Sequence, residues 1–184
     1  MPINAASLNY RLSTSHPSSI RHPDHIDDIQ SALVHLREHY GMREYVLIGH
    51  SAGATLAFQA LACEKPKQLP RAVYGLEGIY DLAALVDEYP YYRGLVEGAF
   101  GAEEGKWPGP LALGGYRGLT VLAHSDNDEL LSWRQTEEMK GRCEETIGVG
   151  GGLRVVKVVG SHDEVLGCER LADVVERYLR ELVH

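Results

Sequence analysis

Tyr45-Val46-Leu47-Ile48-Gly49-His50-Ser51-Ala52-Gly53-Ala54-Thr55-Leu56-Ala57-Phe58-Gln59 is the stretch on which the fold turns. Its first four residues have no polar break, as expected for a strand buried on both faces. Residues 54–63 are rich in alanine and larger apolar side chains, which predicts a well-covered helix. Lys65-Pro66 would stop that helix, because proline has no amide hydrogen and clashes with the preceding turn. Only residues 49–53 separate strand from helix, so the turn must be sharp. The same alternation recurs outward on both sides. Upstream, Ile26, Ile29, Leu33, Leu36 and Tyr40 recur at steps of three and four, and Gly41 stands where a helix C-cap wants positive φ. Residues 6–10 read as one more short strand, followed by a Ser/His/Pro-rich loop. Downstream, residues 71–75, 119–123 and 153–159 read as strands, and 132–143 as a polar helix. Gly148 to Gly152 reads as a connector. A last helix carries Leu171, Val174, Val175, Tyr178 and Leu182 on one face. Strands alternating with helices predict an α/β chain, a mostly parallel sheet with helices on both faces. Residues 77–115 interrupt the pattern with short helical patches, tyrosines, Trp107, glycines and prolines, and are expected as a cap-like insertion. Residues 1–184 are otherwise read as a single domain.

Gly49-His50-Ser51-Ala52-Gly53 is a G-x-S-x-G pattern between a buried strand and an apolar helix. A serine projecting from so sharp a turn has a strained backbone, and side chains two residues to either side are expected to collide. The turn also aims the helix N-terminus and the Ala52 backbone N–H at a reacting carbonyl oxygen, as an oxyanion hole requires. Five residues alone are a weak signal. The strand before them and the helix after them carry the weight.

A serine hydroxyl needs a base, and the base needs an orienting carboxylate. Such centres follow the chain order Ser, then Asp or Glu, then His, with each group past the C-terminal end of a strand. Among nine histidines, only His162 has that order and position. His16, His22, His25, His35 and His39 precede Ser51. His50 lies inside the turn and should point away from the hydroxyl. His124 ends its strand, and His184 ends the chain. For the acid, Asp126 and Asp128 lie two apart on one loop, and either could cap the helix that follows. The pattern of a turn, an acid and an apolar pair in Ser125-Asp126-Asn127-Asp128-Glu129-Leu130-Leu131 favours Asp128, with Asp126 the alternative. Asp163 and Glu164 are too near His162 in sequence to reach its far nitrogen.

Other chemistries find less support. His35 and His39 share a helix face without a third ligand, no cysteine pair is spaced for metal, and the glycine cluster lacks the G-K-[ST] ending of a phosphate loop. Neither metal nor cofactor is expected. The 184 residues are 44% hydrophobic and 24% charged with a net charge of −8, which argues against a nucleic-acid or anionic-membrane surface. No apolar run is long enough to span a bilayer, the first residues lack signal-peptide character, and three cysteines without CxxC spacing fit a reducing cytosol.

Several segments together resemble the fungal kynurenine formamidases, arylformamidases of the α/β-hydrolase superfamily. They are Leu8-Asn9-Tyr10-Arg11-Leu12-Ser13, the helix ending in Tyr40-Gly41, Gly49 through Gln59, Glu77-Gly78-Ile79-Tyr80-Asp81-Leu82, the tyrosine-rich stretch into Ala99-Phe100-Gly101, and His124 through Leu131. The resemblance implies hydrolysis of N-formyl-L-kynurenine to L-kynurenine and formate, in tryptophan catabolism and NAD synthesis, by Ser51, Asp128 and His162. It implies a small aromatic formamide as partner, with a homodimer left open. A carboxylesterase of the same fold is the runner-up, and a non-catalytic remnant the third reading. The chain departs from the family at its front. The family's H-G-G-x-W motif, whose backbone N–H groups complete the oxyanion hole, has no counterpart ahead of residues 6–10. The sheet is therefore expected to lack the N-terminal strands. Either residues 6–10 slide across to pair with 45–48 or they leave an empty slot. A chain in that state is expected to aggregate or fold only in part, with negligible formamidase activity.

Overall fold

The protein is described by a computed structural model covering residues 4–14, 18–63, 69–114, 116–147 and 152–183, with side chains omitted at 170 and 181–183. Lys65-Pro66, His16, His184 and Gly148 to Gly151 lie outside the described residues. Four strands, β1 (Val46–His50), β2 (Ala72–Leu76), β3 (Leu119–Ser125) and β4 (Gly152–Val158), form one sheet in the order β1-β2-β3-β4. Every pairing is parallel, in registers such as Val46 with Ala72, Ala72 with Leu119, and Leu119 with Gly152. The helices are α1 (Asp24–Tyr40), α2 (Ala52–Cys63), α3 (Leu82–Glu88), α4 (Arg93–Phe100), α5 (Trp133–Thr146) and α6 (Glu169–Val183).

The inner strands are apolar on both faces because both faces are covered. All five residues of β2 are buried. Val73 and Leu122 turn to one core with Ala54, Phe58 and Leu61 of α2 and Met139 and Cys143 of α5. Ala72, Tyr74, Leu76, Val121 and Ala123 turn to the other, closed by Leu171 and Tyr178 of α6. A third cluster joins Ile26, Ile29 and Leu33 of α1 to Leu56 and Ala60 of α2. Gly41 caps α1 with φ 66°, and its N–H reaches the Leu36 carbonyl. Residues 77–115 hold α3, α4 and two short 3₁₀ turns, packed around Leu85, Val86, Val96, Trp107 and Leu131.

Two expectations are corrected. Residues 6–10 form no strand and add nothing to the sheet. Leu8 and Tyr10 lie instead against the α1 cluster, and Arg11 grips Asp28 of α1 through its backbone N–H (2.9 Å) and its guanidinium (2.8 Å). With its side chains engaged on a helix, the segment takes no register along β1. Residues 45–48 are not buried on both faces either. Among the described residues β1 pairs only with β2, and Ile48 keeps 46% of its surface exposed. An apolar run identifies a strand but not its place in the sheet.

Candidate active site

All four strands end on the same side of the sheet, so the segments after them converge there. Ser51 follows β1, Glu77 follows β2, Asp126 to Asp128 follow β3, and Gly160 to His162 follow β4.

Ser51 is one of two non-glycine residues with positive φ among the described residues, at 54°. The strain is held from both sides. Its N–H donates to the Leu76 carbonyl (2.9 Å), and its own carbonyl accepts from Ala54 (3.0 Å) and Ile79 (3.3 Å). Thr55 Oγ1 donates to the Ile79 carbonyl at 2.5 Å, fastening the start of α2 to the loop after β2. The two glycines of the motif are not equivalent. A Cβ at Gly49 would strike the Gly53 carbonyl and stand 2.7 Å from Ala54 Cα, whereas one at Gly53 meets nothing within 4 Å. Only Gly49 is sterically required, which corrects the expectation for both. Ala52 is exposed at the first position of α2, and its N–H has no hydrogen-bond partner among the described residues.

His162 is 3% exposed and fixed on three sides. Its N–H donates to Glu129 Oε2 (2.9 Å), and its carbonyl accepts from His50 Nε2 (2.8 Å). Its Nδ1 donates to Asp128 Oδ2 at 2.8 Å. Asp128 Oδ1 accepts from the N–H groups of Leu130 (2.8 Å) and Leu131 (2.9 Å), so this carboxylate both caps the turn and holds the ring. Burial alone would raise the Asp128 carboxyl. Hydrogen bonds from Glu77, His162, Leu131 and Leu130 outweigh it and hold the group below its ordinary value. Asp126 is elsewhere, exposed and paired with Lys157 Nζ at 3.0 Å. Thus Asp128, not Asp126, stands at His162. Ser51 Oγ and His162 share no hydrogen bond among the described residues; the two segments are tied by His50, whose Nε2 donates to the His162 carbonyl.

Three side chains not singled out from the sequence belong here. The His50 ring lies 4.6 Å from the His162 ring, centroid to centroid, and clamps its backbone. Glu77 and His124 are wholly buried behind Asp128, with Glu77 Oε2 2.9 Å from His124 Nδ1. The sequence signal for Glu77 was its place directly after an apolar strand, at the same level as Ser51. The atoms of Glu77, His124 and Asp128 approach within 4.8 Å of one another, as do those of His50, His162 and Asp163. Protein donors and acceptors account for the approaches in the first group, which we read as a hydrogen-bonded network rather than a ligand set. At the site's flank, Tyr89, Tyr91 and Tyr92 cluster with ring centroids 4.6–6.2 Å apart. Burial, with Tyr91 and Asp128 nearby, pushes the Tyr92 hydroxyl up to about 12.

No family model matches the chain. Among curated proteins it is 34% identical to kynurenine formamidase avaC of Aspergillus versicolor, with 87% of this chain and 69% of that protein covered. It is 32% identical to the kynurenine formamidase-like hydrolase fscH of Fusarium equiseti, over 96% of this chain and 71% of that one. A kynurenine formamidase of Meyerozyma guilliermondii is 35% identical over 74% of this chain and 58% of its own length. The chain thus spans between about three fifths and seven tenths of these relatives. Among solved structures, a truncated carbohydrate esterase from gut microbiota superposes with a TM-score of 0.71 at 17% identity, covering 97% of this chain and 74% of that one. An acetyl ester-xyloside bifunctional hydrolase from Caldicellulosiruptor lactoaceticus gives 0.65 at 18%, covering 95% and 70%. Those likenesses concern the fold, an α/β-hydrolase sheet. Taken with identities above 30% over more than two thirds of two relatives, they make the chain a hydrolase of the kynurenine formamidase family.

Proposed function

We propose that the chain carries the catalytic centre of an arylformamidase, hydrolysing N-formyl-L-kynurenine to L-kynurenine and formate through Ser51, His162 and Asp128. The observation that carries this reading is the 2.8 Å bond from His162 Nδ1 to Asp128, at the same end of the parallel sheet as a strained serine that opens α2. With Nδ1 protonated and held, Nε2 is left as the basic nitrogen. Ser51 Oγ attacks the formyl carbon and its proton passes to Nε2. The carbonyl electron pair moves onto oxygen, which the Ala52 N–H stabilises. Collapse breaks the C–N bond, and His162 gives its proton to the departing aryl amine. Water, deprotonated by His162, then attacks the formyl ester, releasing formate and restoring Ser51. Asp128 stays ionised throughout and stabilises the imidazolium. The tyrosines beside Asp128 supply aromatic surface of the kind an aryl formamide would stack on. We take the cytosol as its compartment, which thiols at Cys63, Cys143 and Cys168 fit.

Side-by-side rates on N-formyl-L-kynurenine and p-nitrophenyl acetate test the substrate. We expect the formamide to be preferred in kcat/KM and turnover to vanish in Ser51→Ala. A preference for the ester would make the protein a carboxylesterase of the same fold. An active Ser51→Ala variant would mean the nucleophile is wrong. The unjoined Ser51 and His162 favour a second reading, a centre that no longer turns over. Unliganded hydrolases often show this bond long and tighten it around substrate.

A further inference from the structure

Glu77 is an acid where the fold has no water to offer it. It is 0% exposed, sits at positive φ (44°), and is fixed there by its N–H to the Ala123 carbonyl (3.0 Å). Its Oε1 accepts from the Ser125 N–H at 2.9 Å. Its Oε2 faces two groups. One is His124 Nδ1 at 2.9 Å, and the other is the Asp128 carboxyl, an oxygen of which lies within 4.8 Å of the Glu77 carboxyl.

Counting protons around this pocket leaves one to be placed. His124 Nε2 lies 3.2 Å from the Leu131 carbonyl, which can only accept, so Nε2 carries a hydrogen. In a neutral ring Nδ1 is then a lone pair, which accepts from Thr136 Oγ1 at 3.2 Å and lies 2.9 Å from Glu77 Oε2. If Glu77 were ionised, its charge would lie 2.9 Å from an unprotonated nitrogen, and two buried carboxylates would stand within 4.8 Å of each other. Like charges so placed cannot both ionise. One proton between Glu77 and His124 removes both conflicts. The Nδ1–Oε2 approach lacks the alignment of a ring N–H donating to Oε2, which otherwise has no partner. The carboxyl oxygen is therefore the better home for the proton. From Oε2 it can be shared with His124 or donated to Asp128. Burial, which raises the Glu77 carboxyl, works in the same direction. The other titratable groups around the pocket are Tyr80 toward Glu77, Tyr92 toward Asp128, Asp126 toward His124, and Glu129 and His50 on His162.

We propose that Glu77 is a positioning residue for the hydrolytic centre: its carboxyl, with the His124 ring, holds one buried proton behind Asp128 and keeps that acid ionised and turned toward His162. Asp128 would then receive hydrogen bonds from Leu130, Leu131, His162 and Glu77, leaving no lone pair to draw it out of place. The inference rests on the hydrolase reading for its purpose but not for its geometry, so its test is spectroscopic.

The 184-residue chain, labelled with ¹³C at glutamate carboxyls and at histidine rings, is titrated by NMR as wild type, Glu77→Gln and Glu77→Leu. Signals are assigned by their loss in Glu77→Gln and His162→Gln. The Glu77 carboxyl should keep the chemical shift of the protonated acid through neutral pH. Glutamine, a neutral donor of the same shape, should leave the His162 titration where it is in the wild type. Leucine removes a donor from Asp128, concentrates its charge and should raise the His162 midpoint by about half a pH unit or more. A Glu77 carboxyl ionised at neutral pH would overturn the proposal. So would a Glu77→Gln variant whose His162 midpoint falls by about a unit, because that result means a negative charge was lost. A folded Glu77→Leu variant titrating like the wild type would overturn it as well. If Glu77→Leu does not fold, the carboxyl shift and Glu77→Gln decide alone. Labelling of the same samples with a fluorophosphonate reports separately on the hydrolase reading.

Discussion

At the scale of single residues, the two aspartates of one loop have different surroundings, and their variants should separate cleanly. Asp128 is buried against His162, while Asp126 pairs with Lys157 in solvent. We expect Asp128→Asn to lower kcat by about 10³–10⁴-fold, because the amide favours the wrong histidine tautomer. Asp126→Asn should stay within about twofold, since an exposed pair holds nothing in place. Steady-state rates of the two variants check this. The hydrogen bonds that Asp128 accepts make it a pH-dependent contributor to stability. Its folded-state value lies below the ordinary 3.8, so its contribution is present above that value and is lost as pH falls through it. The gap in unfolding free energy between wild type and Asp128→Asn, from urea titrations, should therefore narrow between about pH 5 and about pH 3. The positions of Ser51, Asp128 and His162 past three strand ends were legible because chain order constrains where they can stand. Glu77 and His124 were not. A lone acid after a strand reads as a solvated loop residue, and only the crossing of β3 and the loop after it reveals that water is excluded.

At the scale of elements, the strand-to-helix turn yields a contrast that its motif hides. Gly49→Ala would drive a methyl into the backbone of Gly53 and Ala54, and should destabilise by about 1–3 kcal/mol or more. Gly53 lies inside α2 with open space beside it. Gly53→Ala should instead stabilise by about 0.5–1 kcal/mol, the ordinary helical gain of alanine over glycine. Thermal unfolding of both variants tests this, and equal destabilisation would mean the turn is built otherwise. The period-3.6 and apolar-run signals placed α1, α2, β2, β3 and β4 within a few residues, since α1 and α2 bury an apolar face, β2 and β3 are buried along nearly their whole length, and β4 keeps a valine-rich run. Residues 6–10 were misread because five residues can alternate without a partner strand. Their Leu8 and Tyr10 are satisfied by α1 as well as they would be by a sheet.

At the scale of the whole molecule, β1 is an edge of the sheet, which the apolar pattern of residues 45–48 concealed. Backbone groups on the outer side of β1 have no strand partner among the described residues, and Ile48 presents an exposed apolar side chain beside them. Such an edge is a template for pairing with another chain. We expect the 184-residue chain to self-associate in a concentration-dependent way, read by light scattering, and Ile48→Lys to reduce that association by placing a charge on the edge. A chain that stays monomeric at high concentration without the substitution would show that the edge is protected. The central claim, however, is that Ser51 is an activated nucleophile. Reaction with a fluorophosphonate, followed by peptide mass mapping, tests it most directly, because only a serine with a working base reacts. The expected result is one phosphonyl group per chain, on the peptide holding Ser51, absent in Ser51→Ala and in His162→Ala. A folded wild-type chain that takes no label, or takes it on another residue, would contradict the account.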